Sequence, residues 1–357
     1  MSVPFRLPLL ALGFLTACGP VVNKDTVVLE KLPADVQTGQ ATQAVLTSEG
    51  NVFGVPASGG FVELKPDAGA WEEVSGPAMK RFVVNFKDTQ TLAEGQSSAP
   101  GLFVAKGHGF VAVEPAVPAL THAAFQNASW STVKGRDAQG TWWSVSPPSF
   151  GQFDGKQSVA HFDVGASDWV VDEVPLADPA HTTFAAAPVM TSDARFFFRP
   201  TKFGLFEIDL ANHQMVERVP CSAELFNGAC DAATTFLFAG RDGVLFIFSA
   251  AHELWRIGSR ETTATRVVKG ALPSLPGDAG PLATPSFYVD PAGRVWLAFT
   301  SGAASFLYEA EPKARDSWTF ISSTLPAALT LFGDGPLPIL SNEASSAGLL
   351  VYRVTLR

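Results

Sequence analysis

The sequence predicts an all-β fold made by repeating one antiparallel four-stranded unit, and three observations predict it. The first is the stretch 286–326, which holds four short apolar, β-rich segments at 287–289, 295–299, 306–308 and 318–321. Turn-forming groups separate them: Asp290-Pro291-Ala292-Gly293, then Ser301-Gly302-Ala303-Ala304, then the charged run 311–316. Short runs of this kind bounded by Gly, Pro, Asp and Ser read as strands joined by hairpins. The second observation is recurrence. A Gly-containing turn followed by a bulky apolar strand appears as GNVFGV from Gly50, GLFVAK from Gly101, GTWWSV from Gly140 and ARFFFR from Ala194. It returns as GVLFIF from Gly243, GRVWLA from Gly293 and GPLPIL from Gly335. The starts lie roughly 40–55 residues apart, the length of a propeller blade or slightly more. The third is that no long segment keeps a 3.6-residue apolar period. The expected architecture is a seven-bladed β-propeller of four-stranded antiparallel blades, with six or eight blades as alternatives.

Taking each recurring strand as the second of its unit places the others. Third strands are expected at 60–64, 109–113, 160–164, 204–208, 254–257, 305–310 and 348–354. Fourth strands are expected at 71–74, 120–125, 169–174, 215–219, 265–269 and 318–321. The last unit then lacks a fourth strand. The segment DTVVLEKLP from Asp25 resembles the other fourth strands, such as DWVVDEVP from Asp168 and QMVERVP from Gln214. Residues 26–32 are therefore expected to complete the last blade, so that strands from both termini close the ring. Closure removes the long exposed edges on which sheets aggregate. The Gly in each turn supplies positive φ at little cost. A bulky strand after it suits packing on both faces. Stretches 115–126 and 222–229 are each expected to hold one helical turn. Tryptophans 71, 130, 169, 255, 296 and 318 fall at strand positions and read as packing between blades. In Trp142-Trp143 adjacent side chains point to opposite faces, so one of the two can be exposed.

The N-terminus carries an address. Arg6 precedes an apolar run from Leu7 to Leu15, too short to span a bilayer but suited to the core of a signal peptide. Leu15-Thr16-Ala17-Cys18 resembles a bacterial lipobox. The resemblance implies that Cys18 carries a diacylglyceryl thioether and becomes the mature N-terminus. Gly19, in place of an Asp, implies sorting to the outer membrane. Residues 1–17 are then a signal peptide, 18–25 a lipid-anchored tether and 26–357 one propeller domain. The whole chain carries a formal charge of −9, and removing residues 1–17 takes away one cation. So acidic a chain lacks the basic face that phosphate backbones need, which argues against nucleic acid as a partner. Only 17% of residues are charged and 46% are hydrophobic, which excludes disorder. With Cys18 lipidated, Cys221 and Cys230 are expected to pair in an oxidising compartment. Two buried thiols are the alternative, and a two-Cys metal site lacks further ligands at useful spacing.

The stretch DPAGRVWLAF from Asp290 is similar to the repeat of two-component-regulator-type propellers, in which a D-x-x-G turn precedes a strand with a Trp. RDGVLFIF from Arg241 matches it in part. The resemblance implies a propeller and no particular activity. His252-Glu253-Leu254-Trp255-Arg256 begins like a zinc-protease motif but has Arg256 where the second His belongs. Gly107-His108-Gly109 lacks the third Gly of a phosphate loop, and there is no G-x-S-x-G elbow. No cofactor or metal is expected. Loops joining second to third strands are expected to form the ligand face, contributing Lys106, His108, Arg199, Lys202, His252 and Asn342. The set is more basic than the chain and suits an anionic ligand, although scattered surface charge explains it too. The function expected is a lipid-anchored, monomeric binding or scaffolding module of the cell envelope, with an envelope protein or glycan as partner. A propeller lyase or hydrolase acting on a sugar or lactone is the alternative, as is a purely structural envelope protein.

Overall fold

The computed structural model describes residues 27–31, 41–56, 61–65, 70–74, 76–96, 100–125, 133–146, 156–176, 188–200, 203–226, 235–270, 272–273, 283–301, 304–313, 315–326, 329–332, 339–342 and 351–356. Strand β1 (Val27–Lys31) leaves its chain neighbours for a distant partner. Strands β2 (Ala41–Leu46), β3 (Val52–Pro56), β4 (Phe61–Lys65) and β5 (Ala70–Val74) form an antiparallel sheet in chain order. The same order holds for β6 (Met79–Asn85), β7 (Leu92–Gly95), β8 (Leu102–Lys106) and β9 (Gly109–Ala112). It holds again for β10 (Val133–Arg136), β11 (Trp142–Val145), β12 (Lys156–Asp163) and β13 (Asp168–Pro175). These last two sets fuse into one eight-stranded sheet because β6 and β10 pair in parallel. Two further sheets follow, β14 (Val189–Met190), β15 (Phe196–Phe198), β16 (Leu205–Asp209) and β17 (Gln214–Val219), then β18 (Phe236–Ala239), β19 (Leu245–Phe248), β20 (Leu254–Ile257) and β21 (Thr265–Val268). Next come β22 (Ala283–Val289), β23 (Val295–Ser301), β24 (Ala304–Ala310) and β25 (Trp318–Pro326). In the last sheet β26 (Leu329–Phe332), β27 (Ile339–Asn342) and β28 (Val351–Leu356) are completed by β1.

The N-terminal strand therefore sits where the repeat required it. Val27 faces Leu356 and Lys31 faces Tyr352 in antiparallel register. The first strands of successive sheets are neighbours: β2 with β6, β6 with β10, β10 with β14, β14 with β18, β18 with β22, β22 with β26, and β26 with β2 again.

One unit departs from the expected alignment. GLFVAK from Gly101 forms the third strand of its unit, β8, and the second strand is β7 at Leu92–Gly95. The third strand expected at 109–113 is the fourth strand, β9. The fourth strand expected at 120–125 is not a strand; it ends in a 3-10 turn at Ala123–Phe125. The reason is local chemistry. The turn before β7 is closed by a side chain in place of Gly: Asn85 donates to the Asp88 carboxylate at 2.6 Å and to the Gln90 carbonyl at 2.8 Å. Strand β7 itself, LAEG, carries no bulky run. A search keyed on Gly and aromatic bulk passes over it. The second helical turn expected, in 222–229, is the 3-10 turn Glu224–Phe226.

The core lies in seams between consecutive sheets. The second strands β15, β19 and β23 are buried on both faces, and their alternation divides residues between two seams. In β15, Phe196 and Phe198 face the β10–β13 side while Phe197 faces the β18–β21 side. In β19, Phe246 and Phe248 pack toward the β22–β25 sheet, and Leu245 and Ile247 pack the opposite way. In β23, Val295, Leu297 and Phe299 share a seam with β19, whereas Trp296 and Ala298 join Leu331 and Val354. Burying each such Phe contributes on the order of 2–3 kcal/mol. Trp255, Trp296 and Trp318 are buried, as the packing role requires. Trp142 is buried and Trp143 is partly exposed.

Four of the first-to-second-strand turns share one geometry. In the turn 137–141 the Asp137 amide donates to the Thr141 carbonyl and the Gly140 amide donates back to the Asp137 carbonyl. Turns 47–51, 191–195 and 290–294 repeat both bonds. This is a type I turn closed by a left-handed residue. That residue is Gly140 at φ +98°, Gly293 at +83° and, without glycine's freedom, Ala194 at +59°.

Candidate functional site

A cavity among the described residues holds about 340 Å³ and opens where four first strands end. Its walls are residues 84–86 at the end of β6, 188–190 around β14, 238–239 at the end of β18 and 287–289 at the end of β22. The volume falls at the lower end of the range for small-ligand pockets. Strands β14, β18 and β22 are each the terminal strand of their sheets, so each has a ladder partner on one side only. Their inner edges turn backbone N–H and C=O groups toward the space they surround.

The walls are chiefly apolar and aromatic. Phe238 and Phe287 stack with centroids 4.1 Å apart and planes within 5°. Val84 is half-exposed at 50%, unusual for a valine on an inner strand. Asn85 turns its amide into its own loop, as described above, and Arg241 supplies the one charge among the described lining residues. Arg241 sits in the turn between β18 and β19, and its Nη1 donates to the Asp88 carbonyl at 3.5 Å, in the turn between β6 and β7. That contact joins two sheets that are not neighbours, so the guanidinium crosses the mouth of the cavity. Asp88 is already held by Asn85 and by the Gln90 amide, with Arg136 at 4.0 Å from its carboxylate.

Arg241 was absent from the residues the sequence suggested, although a signal for it existed. At the second position of the shared turn four other units carry Ser48, Ala138, Ser192 and Pro291. A long cation stands out once the turns are aligned with one another. Asp137 is a second omission. Its Oδ1 accepts from the Gly140 and Thr141 amides, and its Oδ2 accepts from Trp143 Nε1 at 2.7 Å. Asp290 does the same for the Arg294 amide and, at 3.4 Å, for Trp296 Nε1. Both pairs are six residues apart, so DAQGTWW is a second copy of the D-x-x-G and Trp pattern of DPAGRVW.

Of the six residues expected at a ligand face, Arg199 and His252 follow second strands and Asn342 ends one, while Lys106 and His108 lie at a third-to-fourth-strand turn. Lys106 and His108 flank the β8–β9 hairpin, a third-to-fourth-strand turn, where His108 Nδ1 lies 2.7 Å from the buried Glu63 carboxylate. Arg199 follows β15, is 1% exposed and lies over the Phe226 ring at 4.9 Å; burial lowers its pKa. His252 occupies the left-handed position of the β19–β20 turn, at φ +62°. It stacks on Phe248, and its carbonyl accepts from Trp318 Nε1 at 2.9 Å. Burial depresses its pKa, which keeps the imidazole neutral at physiological pH. Asn342 ends β27 opposite Leu329. Lys202, Cys18 and Cys230 lie outside the described residues, and Cys221 opens the turn after β17. Among the described residues, no group of three His, Cys, Asp or Glu side chains is placed to hold a metal ion.

No family model matches the chain, and no curated protein matches it. Solved structures do. One is YCF48 bound to a D1 peptide, with a TM-score of 0.53 and 12% identity over 94% of this chain and 99% of that one. Another is the β-propeller domain of Swd1 (Cps50) from Myceliophteria thermophila, with a TM-score of 0.51 and 10% identity over 91% of this chain and 99% of that one. The chain has a β-propeller fold. At these identities the likeness extends to the fold alone.

Proposed function

We propose that this chain is a seven-bladed propeller held at the cell envelope by a lipid on Cys18, and that it works as a non-catalytic binding module for another envelope protein. The observation that carries the binding reading is the cavity ringed by β6, β14, β18 and β22, with apolar walls, edge-strand backbone and one guanidinium. Such a lining recognises side chains and backbone; sugars call for a more hydroxyl-matched surface. Seven blades are supported by the cyclic run of first-strand neighbours and by β1 completing the β26–β28 sheet. The lipid anchor and outer-membrane address rest on Leu15-Thr16-Ala17-Cys18-Gly19. A Cys221–Cys230 bridge would staple the segment between β17 and β18.

The test is photo-cross-linking in intact cells, with a photoreactive residue replacing Ala239 at the cavity and, as control, Val164 on an exposed turn. A discrete adduct with one envelope protein from position 239 alone is expected. Equal labelling from both positions, or none, overturns the binding reading. Cys18→Ala is expected to move the protein from the membrane to the soluble fraction; retention in the membrane overturns the anchor.

A further inference from the structure

We propose that a second cavity, about 200 Å³ in volume, takes one pyranose unit of a glycan, with the apolar face of the sugar on Trp169 and its hydroxyls on Lys80, Glu94 and Gln96. The inference goes beyond the binding-module reading and does not rest on the cavity described above. The site lies where the two halves of the eight-stranded sheet meet. Lys80 of β6, Glu94 of β7 and Leu102 of β8 line it from one half, Trp169 of β13 lines it from the other, and residues 117–120 complete the wall. A cavity of roughly 150 Å³ holds a benzene ring, so this one has room for a single six-membered ring with substituents.

The chemistry of the wall selects among such rings. One part is apolar. Leu102 and Val117 are buried in one core with Val113 and Phe162, and Trp169 packs against that core. Trp169 stays partly exposed, and an indole face attracts the C–H groups on the apolar side of a pyranose. The other part mixes donors and acceptors. Lys80 is exposed and brings three N–H donors. Gln96 gives its amide N–H to the Met79 carbonyl at 3.1 Å, which leaves its carbonyl oxygen to accept. Glu94 is held by Arg81 at 2.8 Å, and an ionised carboxylate keeps further lone pairs for a hydroxyl. An anion is poorly matched to this set, because Glu94 and Gln96 both present acceptors. A purely apolar ring would strip water from three polar groups and bond none of them. A hydroxyl both donates and accepts, so a polyol with one apolar face answers both parts of the wall.

The wall is also set in advance. The Val113 amide donates to the Leu102 carbonyl at 2.9 Å, and Trp169 Nε1 donates to the Pro118 carbonyl at 2.8 Å. The 113–125 segment is thereby tied to both halves of the sheet, and its Val117 and Phe125 are buried. A site formed before its ligand arrives loses little to ordering on binding.

The probes are the methyl glycosides of glucose, galactose, mannose and N-acetylglucosamine, with phenylacetate and cyclohexanol as ring controls, titrated into the full chain and followed by ligand-observed NMR. At least one glycoside is expected to bind in the millimolar range, with both controls weaker. Lys80→Ala is expected to weaken that glycoside about tenfold, from the loss of a charged hydrogen bond. Trp169→Ala is expected to weaken it about tenfold as well, from the loss of the aromatic face. Lys80 is exposed, so its variant keeps the fold. If Trp169→Ala lowers the melting temperature, Trp169→Leu keeps the bulk and the same weakening is expected. Ala239→Leu, which narrows the other cavity, is expected to leave sugar binding unchanged. No glycoside binding at millimolar concentration overturns the proposal. So does either control binding as tightly as the best glycoside, or glycoside binding that Lys80→Ala leaves unaltered. Sugar binding lost in Ala239→Leu would move the sugar to the other cavity and overturns this site.

Discussion

Adjacent inner strands meet in two ways. Strands β6 and β10 are hydrogen-bonded in parallel, Gly135 opposite Val84 and Arg136 opposite Asn85, and the ladder continues as the Phe86 amide donates to the Arg136 carbonyl at 2.9 Å. Strands β14, β18 and β22 have no such ladder between them and surround the cavity instead. The difference is carried by side chains. At Gly135 an added Cβ would lie 2.4 Å from the Val84 carbonyl oxygen, so only glycine permits that approach. The corresponding inner strands carry Val189, Met190, Phe238, Phe287 and Tyr288, which line the cavity. Gly135 is the residue that lets β6 and β10 approach to ladder distance.

Where the backbone ladder is missing, side chains take over the joining. Arg195 donates to the Gly258 and Glu261 carbonyls of the next sheet while its Nε and Nη2 grip Glu207 at 2.9 Å. Arg218 grips the same carboxylate at 2.6 Å. Between the β18–β21 and β22–β25 sheets the link is Trp318 to the His252 carbonyl, together with the Phe238–Phe287 stack.

The contrast can be broken at either kind of junction. The largest effect is expected from Gly135→Val, which forces β6 and β10 apart at a cost of about 3 kcal/mol. Urea unfolding measures the loss, and hydrogen exchange at the Phe86 amide should accelerate with it; an unchanged exchange rate would show that the ladder does not depend on Gly135. Next is Glu207→Gln, which leaves two half-buried guanidinium groups without their carboxylate and should cost about 2 kcal/mol. Its pH dependence is a sharper readout. Burial alone would raise the Glu207 pKa, but the bonds from Arg195 and Arg218 outweigh it and the net shift is downward. A lowered folded pKa gives stability that is present above the ordinary glutamate range and lost as pH falls through the folded value. Wild type and variant should therefore converge in stability toward acid; parallel curves would discount the clamp.

Trp318→Phe keeps the ring in its seam and removes one hydrogen bond, so calorimetry should find a loss of about 1 kcal/mol. A larger loss would mean that packing, not the bond to His252, joins these blades. The smallest effect runs the other way. Ala194 holds a left-handed conformation without being glycine, and Ala194→Gly should relieve that strain and gain about 0.5 kcal/mol after the added unfolded-state entropy. A loss would mean that the Ala194 methyl is packed better than its φ suggests.

Much of this fold was legible in the sequence because propeller second strands are buried on both faces. Runs such as FFF at 196–198 and LFIF at 245–248 have to be continuous and bulky, and the left-handed turn position before them selects Gly in all but Ala194 among the aligned turns. The β6–β9 set was misaligned because Asn85 closes its first turn without Gly and β7 is short and small. The cavity was not legible for a different reason. It depends on how far apart first strands stand, and those strands carry little signature; β14 is two residues long. Expecting the ligand face at second-to-third-strand loops drew attention to His252 and Arg199, which the structure packs between sheets. Arg241 became visible only when first turns were compared with one another.

The pairing of β1 with β28 bears on the order of manufacture. Val27 is among the first described residues to leave the ribosome, yet its partner Leu356 is made more than three hundred positions later. Until then β1 has no ladder to join, and the contact spans almost the full chain, the kind of pairing that forms slowly. A chain truncated before Val351 has every earlier sheet available but no seat for its first strand. Such a product carries its own mark of incompleteness, a first strand with no ladder to join and an open edge on the sheet it should complete.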